Sequence, residues 1–101
     1  MGPDGHTASL FPGESLIDDR AGIAAAVISY DKPPRDRVTL LPGVLLASRT
    51  TVFLLDGADK QPALDAVLTG AADPHRFPSQ LLARSGKPVD WFLAALRWPV
   101  A

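Results

Sequence analysis

Residues 51–70 read TVFLLDGADKQPALDAVLTG, and this stretch decides the class of fold. Residues 51–55 form a continuous apolar run, which is typical of a strand buried on both faces of a parallel sheet. Asp56 and Gly57 end the run, and residues 59–69 then have the spacing of an amphipathic helix. A strand, a short turn and a helix in succession predict an α/β protein.

The ends of this helix are marked by residues with known preferences. Asp59 is the expected N-cap, and Pro62 falls in the first turn, where proline is tolerated. Gly70 follows the last turn, at the position where a glycine commonly ends a helix. The residues expected to face the core are Ala63, Leu64, Val67 and Leu68.

The rest of the chain alternates between the same two kinds of element. Strands are predicted within residues 22–30, over 37–41 and over 89–93, and short helical segments are predicted over 44–47 and 78–83. This alternation indicates a layered α/β fold with a mainly parallel sheet.

Composition and charge exclude several classes of function. Hydrophobic residues make up 47% of the 101 residues, which is enough for a packed core. Ten Lys and Arg stand against eleven Asp and Glu, so there is no basic field to hold nucleic acid or an anionic membrane. The absence of cysteine excludes a disulfide scaffold, a thiolate metal site and a cysteine nucleophile. The longest uncharged apolar run is too short to span a bilayer, and a cytoplasmic protein is expected.

Asp4-Gly5-His6 is the strongest candidate for a chemical site. In an extended segment, residues two apart point the same way, so Asp4 and His6 could share one site. Gly5 between them would allow a ligand to approach closely. A histidine titrates near neutral pH and is a natural general base, which a neighbouring carboxylate can orient. The alternative is a solvent-exposed turn that happens to contain both residues. No histidine or cysteine spacing supports a metal site.

Two cations are candidates for binding an anionic group. Lys60 lies in the first turn of the predicted helix, where a lysine opposes the helix dipole unless a phosphate is bound there. Arg37 opens a predicted strand and could reach an anion at the ends of the strands. The alternatives are a solvated Lys60, balanced by Asp56 and Asp59, and an Arg37 that covers apolar surface.

These residues belong to segments that resemble the 6-phosphogluconolactonase family. Residues 1–13, MGPDGHTASLFPG, resemble the signature segment of that family. Further similar segments follow in the same order over nearly the whole chain: Lys32-Pro33-Pro34, Arg37-Val38-Thr39-Leu40, Arg49 with Val52-Phe53-Leu54-Leu55, Gly57 and Lys60, Pro78-Ser79-Gln80-Leu81, and Trp91-Phe92-Leu93.

The resemblance implies a fold and a reaction. The fold is the C-terminal part of a Rossmann-like α/β sandwich, as in ribose-5-phosphate isomerases. The reaction is hydrolysis of 6-phospho-D-glucono-1,5-lactone to 6-phosphogluconate in the pentose phosphate pathway, without a metal or an organic cofactor. By position, His6 would be the general base that activates water, and Asp4 would support it. Lys60, Arg37 and Gly5 would contact the sugar phosphate.

Some features depart from the family pattern. Members of the family are much longer, and their N-terminal half carries a phosphate loop that has no counterpart here. Pro42 is shifted from its usual place, and Leu46 and Ala94 replace a usual asparagine and aspartate. Residues 1–101 are therefore expected to be one truncated, partial domain that self-associates or binds a complementing N-terminal half.

Two alternative functions follow from the same resemblance. The chain could be a non-catalytic remnant of the lactonase. It could also be similar to the amino-sugar-phosphate deaminases and isomerases, which use an Asp-Gly-His segment too. The continuation of that segment over residues 7–12 favours the lactonase, because the deaminases carry different residues there, including an acidic one.

Overall fold

The computed structural model describes residues 1–99, so residues 100 and 101 of the predicted domain lie outside the described range. Within that range the strands and helices are, in chain order, β1 (Ala24–Ile28), β2 (Asp36–Leu40), α1 (Pro42–Leu46), β3 (Thr51–Asp56), α2 (Gln61–Thr69), α3 (Gln80–Ala83) and β4 (Val89–Ala94). Two 3₁₀ turns are also present, at Ser15–Asp18 and Ala58–Lys60. The alternation of strands and helices confirms the predicted α/β class.

Strands β3 and β4 lie where strands were predicted, and they pair in parallel. Their register runs from Thr51 opposite Val89 to Asp56 opposite Ala94, with α2 and α3 in the connection between them. The rings of Phe53 and Trp91 stack across the pair at 4.2 Å between centroids. Parallel strands need a long crossover of this kind.

The prediction that β3 is buried on both faces is wrong. Phe53 and Leu55 are 5% and 2% exposed, whereas Val52 and Leu54, on the opposite face, are 51% and 71% exposed. Phe53 and Leu55 form the core with Leu64 of α2 and Leu82 of α3. The described helices therefore cover one face of this sheet, and the other face remains open.

Strands β1 and β2 form a separate antiparallel ribbon, which the sequence did not indicate. Their register runs from Ala24 opposite Leu40 to Ile28 opposite Asp36. Strand β1 lies within the predicted residues 22–30, and β2 begins and ends one residue before the predicted 37–41. The connection between them is closed by a hydrogen bond from Ser29 N–H to the Arg35 carbonyl, at 2.7 Å. Such a short connection cannot cross over a sheet, and the two strands must therefore run antiparallel.

The ends of α2 differ from their predicted form. A 3₁₀ turn precedes the helix, and the N-cap of α2 is Lys60, whose side chain makes no capping hydrogen bond. The prediction that Asp59 is the N-cap is therefore wrong. Pro62 does lie in the first turn, as predicted. Gly70 has extended backbone angles rather than left-handed ones. Glycine suits this position because a Cβ would lie 2.7 Å from the Ala66 carbonyl oxygen.

The first residue of the chain links the N-terminal segment to the core. Met1 packs against the cluster formed by Phe53, Leu55, Leu64 and Leu82. This contact places the Asp4-Gly5-His6 segment beside the parallel pair of strands and its helices. Among the described residues, no helix has the length and apolar character needed to cross a membrane.

Candidate functional site

Residues 2–6 form a closed turn. The N–H of Gly5 donates to the Gly2 carbonyl at 3.0 Å, and the N–H of Gly2 donates to the His6 carbonyl at 3.0 Å. Gly5 has a φ of +83°, which L-residues rarely adopt. The predicted proximity of Asp4 and His6 is therefore correct, but it arises from a tight turn rather than from an extended segment.

The buried residue Ser79 fixes this turn to the start of α3. Its N–H donates to the Gly5 carbonyl at 2.9 Å, and its hydroxyl donates to the His6 carbonyl at 3.2 Å. Ser79 is fully buried, so these bonds are shielded from water. The role of Ser79 was missed from the sequence, since its partners lie 73 residues away or more.

Asp4 and His6 form a hydrogen-bonded pair. Asp4 Oδ1 lies 2.5 Å from His6 Nδ1 and also accepts the His6 backbone N–H at 3.1 Å. The side chains are only partly accessible, with 31% of Asp4 and 19% of His6 exposed. Two contacts to one oxygen fix both the position and the plane of the imidazole ring.

The protonation of the pair follows from its surroundings. Burial alone would raise the pKa of Asp4, but hydrogen bonds from Lys32 and His6 outweigh it and bring this pKa to about 2. Burial is the largest influence on the pKa of His6 and lowers it; Lys32 and the Met1 amino group lower it further, and together these effects outweigh Asp4, which raises it. At neutral pH Asp4 is thus a carboxylate that accepts the Nδ1 proton of a neutral imidazole, which leaves the lone pair on Nε2.

The Nε2 atom of His6 is accessible to solvent. No hydrogen-bond partner for this atom is found among residues 1–99, and no polar side-chain atom in that range is both buried and unpaired. His6 Nε2 is therefore reached by solvent. A neutral imidazole oriented by a carboxylate, with its other nitrogen accessible, can accept a proton from water.

The ring of Phe11 lies beside His6 and beside two cationic side chains. Its ring centroid is 4.9 Å from that of His6, 5.5 Å from Lys32 Nζ and 5.3 Å from the Arg37 guanidinium carbon. Lys32 also pairs with Asp4 Oδ2 and lies 3.5 Å from His6 Nδ1. No role for Lys32 was predicted from the sequence, because its contact to Asp4 spans 28 residues.

The side chain of Arg37 is hydrogen-bonded to the loop that joins β1 and β2. Its Nε donates to the Pro34 carbonyl at 2.9 Å, and its Nη2 donates to the carbonyls of Pro33 and Lys32 at 2.8 and 3.3 Å. Arg37 also lies over the ring of Phe11, and this ring in turn packs against His6. Its predicted contact with a phosphate stays a prediction.

Lys60 lies at the start of α2, as its sequence position predicts. Its positive charge acts on the Met1 amino group, whose pKa is lowered first by burial and then by Lys60. The same amino group is close enough to His6 to lower its pKa. Lys60 is thus on the side of the site where Met1 lies, and its binding of phosphate stays a prediction.

Gly5 serves the conformation of the turn. Both its N–H and its carbonyl bond to protein groups, and a Cβ at this position would lie 3.0 Å from Phe77 Cδ1. Its predicted proximity to a ligand is not tested by these contacts. Within residues 1–99, no group of three or more His, Cys, Asp or Glu is arranged to hold a metal ion.

A cleft opens beside the Asp4–Lys32 pair. It has a volume of about 400 Å³ and is lined by Asp4, Phe11, Lys32, Pro12, Glu14 and residues 28–31. A second hollow, lined by apolar residues of β3 and β4 such as Leu54 and Phe92, lies on the open face of the sheet. The polar cleft adjoins the candidate site, whereas the apolar hollow belongs to the uncovered face.

Fold and site together define a class of protein. An imidazole that is oriented by a carboxylate, with its other nitrogen accessible, is the arrangement expected of a general base in an enzyme. Comparison with known families agrees, since residues 1–91 match the family described as glucosamine-6-phosphate isomerases/6-phosphogluconolactonase. The chain belongs to this family.

Similar curated proteins carry the lactonase name. The 6-phosphogluconolactonases of Bos taurus and Homo sapiens are each 39% identical over 93 residues, which cover 92% of this chain and 36% of each relative. A probable 6-phosphogluconolactonase of Schizosaccharomyces pombe is 34% identical. The chain thus spans about a third of the length of these relatives.

Similar solved structures agree with the fold. The 6-phosphogluconolactonase of Trypanosoma brucei matches with a TM-score of 0.77 and 30% identity, over 93% of this chain and 37% of that one. The enzyme of Leishmania guyanensis matches with a TM-score of 0.78 and 28% identity, over 93% and 36%. The partial Rossmann-like fold implied by the sequence resemblance is confirmed.

Proposed function

We propose that this chain carries the general base of a 6-phosphogluconolactonase, which hydrolyses 6-phospho-D-glucono-1,5-lactone to 6-phosphogluconate. The observation that supports this proposal best is the Asp4–His6 pair, with Nδ1 2.5 Å from the carboxylate and Nε2 accessible. The lactonase names of relatives that match over most of this chain support the choice of substrate.

The proposed reaction needs one proton acceptor that later returns the proton. His6 Nε2 accepts a proton from water while the water oxygen bonds to the lactone carbonyl carbon, giving a tetrahedral intermediate. The ring C–O bond then breaks, and the imidazolium returns its proton to the leaving ring oxygen. Asp4 stabilises the imidazolium between the two steps and keeps Nε2 aimed at the water. No metal or organic cofactor enters this mechanism.

Lys60 and Arg37 are proposed to bind the phosphate of the substrate. Lys60 stands at the start of α2, where a phosphate would meet an ammonium group and the positive end of the helix dipole. Arg37 lies over the ring of Phe11 at the edge of the site, but two of its guanidinium nitrogens already donate hydrogen bonds to carbonyls of the loop. Lys60 is therefore the main candidate, with Arg37 in a supporting role.

Replacement of the general base tests the proposal. His6→Ala is expected to lower kcat for the lactone by at least about a hundredfold, because the water loses its proton acceptor. His75→Ala is the matched control, since His75 is half-exposed and pairs with Asp18 instead. Lactone hydrolysis by the protein at neutral pH, with the spontaneous rate subtracted, gives the result. A His6→Ala protein with near-normal kcat would overturn the assignment.

Replacement of the lysine tests the phosphate site. Lys60→Ala is expected to weaken binding of the phosphorylated lactone by about 1.5–3 kcal/mol, which is the scale of a lost charge-assisted contact. Binding of the unphosphorylated gluconolactone should be unchanged. Lys87→Ala serves as the control, since Lys87 donates to the carbonyls of Leu46 and Ser48. Equal losses for both ligands would show that Lys60 has no part in phosphate binding.

The assay of residues 1–101 also separates the two alternatives. Release of ammonia from an amino-sugar phosphate would indicate a deaminase. No turnover of either substrate by residues 1–101 supplied with the N-terminal half of a lactonase of this family would indicate a non-catalytic remnant. The proposed partners are the sugar-phosphate lactone and either a second copy of the chain or a complementing N-terminal half. Nucleic acid and membrane are not proposed as partners, and a cytoplasmic location is proposed from the composition.

A further inference from the structure

The two oxygens of the Asp4 carboxylate have different partners, and Lys32 is one of them. Asp4 Oδ1 is bonded to His6, and Asp4 Oδ2 is paired with Lys32 Nζ. The Lys32 side chain is only 33% exposed, and its ammonium group lies 3.5 Å from His6 Nδ1. A carboxylate held at both oxygens cannot rotate away from the imidazole.

The loop around Lys32 is held in place by the protein. Arg37 donates to the carbonyls of Lys32, Pro33 and Pro34, and Ser29 Oγ accepts the Lys32 N–H at 3.1 Å. Lys32 and Arg37 both lie over the ring of Phe11, which contacts His6. The lysine is therefore placed by a network of contacts.

We propose that Lys32 is a positioning residue, which locks Asp4 onto His6 and keeps the imidazole neutral so that it can act as a base. The catalytic role of Lys32 rests on the proposed function. Its effect on the protonation of His6 does not, because that effect can be measured without any substrate.

The charges that face His6 explain the expected direction. Asp4 stabilises the imidazolium, while Lys32 and the Met1 amino group oppose it. Lys60 acts on the Met1 amino group, and Arg37 lies beyond Phe11. Removing the charge of Lys32 leaves Asp4 uncompensated, so the imidazolium becomes more stable. His6 would then be protonated at a higher pH, and the base would be lost in the range where it is needed.

The test is a titration of the two histidines by NMR in the full chain. Lys32→Met is expected to raise the pKa of His6 by about one unit. Lys32→Gln, which can still donate a hydrogen bond, should give a similar rise, whereas Lys32→Arg should restore the original value. Arg35→Met is the matched control, because it removes a positive charge from the same loop at an exposed residue that pairs with Asp36. His75, which pairs with Asp18, provides the internal reference.

Activity gives a second, independent readout. The acid limb of the pH profile for lactone hydrolysis should move to higher pH in Lys32→Met and Lys32→Gln, but not in Lys32→Arg or Arg35→Met. An unchanged His6 titration in both neutral variants, or an equal rise in Arg35→Met, would overturn the inference. If His6 titrates as expected while neither the parent nor any variant hydrolyses the lactone when supplied with the N-terminal half of a lactonase of this family, the electrostatic role of Lys32 stands and the proposed function fails.

Discussion

At Gly2 the imidazole of His6 packs directly against the backbone. A Cβ on this residue would lie 2.2 Å from His6 Cε1 and 2.3 Å from Nδ1, both of them impossible distances. Gly2→Ala should therefore push the ring away from Asp4 and lower kcat at least about tenfold, with a smaller effect on KM. Steady-state lactone hydrolysis measures both constants.

The control for this substitution is Gly13→Ala. Gly13 has a φ of +79° and open space around its Cα, so an alanine there adds backbone strain without touching His6. Its cost of about 1 kcal/mol should appear in the free energy of unfolding and not in kcat. Equal kcat values for the two variants would show that the contact between Gly2 and His6 is unimportant for catalysis.

Asp4 should make stability depend on pH in the acid range. Its pKa is about 2 in the folded chain against an ordinary value of 3.8, so the folded state favours the charged form. The stabilisation is present above pH 3.8 and is lost as the pH falls towards 2. Asp4→Asn should remove this part of the acid dependence. Urea unfolding at a series of acid pH values tests the prediction, and parallel curves for parent and variant would contradict it.

The elements of the fold differ in how far they could be predicted. The apolar run of β3 and the periodicity of α2 are local patterns, and they predicted this strand and this helix correctly. The ribbon of β1 and β2 was missed because the loop over residues 29–35 lacks a two-residue turn signal. Its conformation depends on side-chain contacts from Arg37, which no local pattern reveals.

The candidate site shows the same division between local and distant contacts. Asp4 and His6 are two residues apart, so their spacing and the intervening glycine could be recognised in the sequence. Ser79 and Lys32 complete the site from 73 and 28 residues away, through a buried hydroxyl and an ion pair. Such partners become visible only when the elements that carry them have been packed together.

The described chain as a whole leaves two apolar surfaces open. On β3 and β4, Leu54 lies opposite Phe92 in the register, and these side chains are 71% and 61% exposed. On the ribbon, Val38 is 78% exposed. The turn around His6, by contrast, is held by Ser79 and Lys32. The turn that carries His6 is therefore held in place by contacts that do not involve the exposed face of β3 and β4.

The open face of β3 and β4 should cause residues 1–101 to self-associate. Adjacent apolar side chains on an uncovered sheet, next to strands with free edges, favour association of copies. The mass measured by light scattering should therefore exceed the 10.7 kDa of one chain and rise with concentration. The double variant Leu54→Lys, Phe92→Lys should shift the protein towards the monomer, whereas Val38→Lys on the ribbon should not. A parent chain that stays monomeric at every concentration, or a Val38→Lys variant that disperses equally well, would show that this face is not the surface of association.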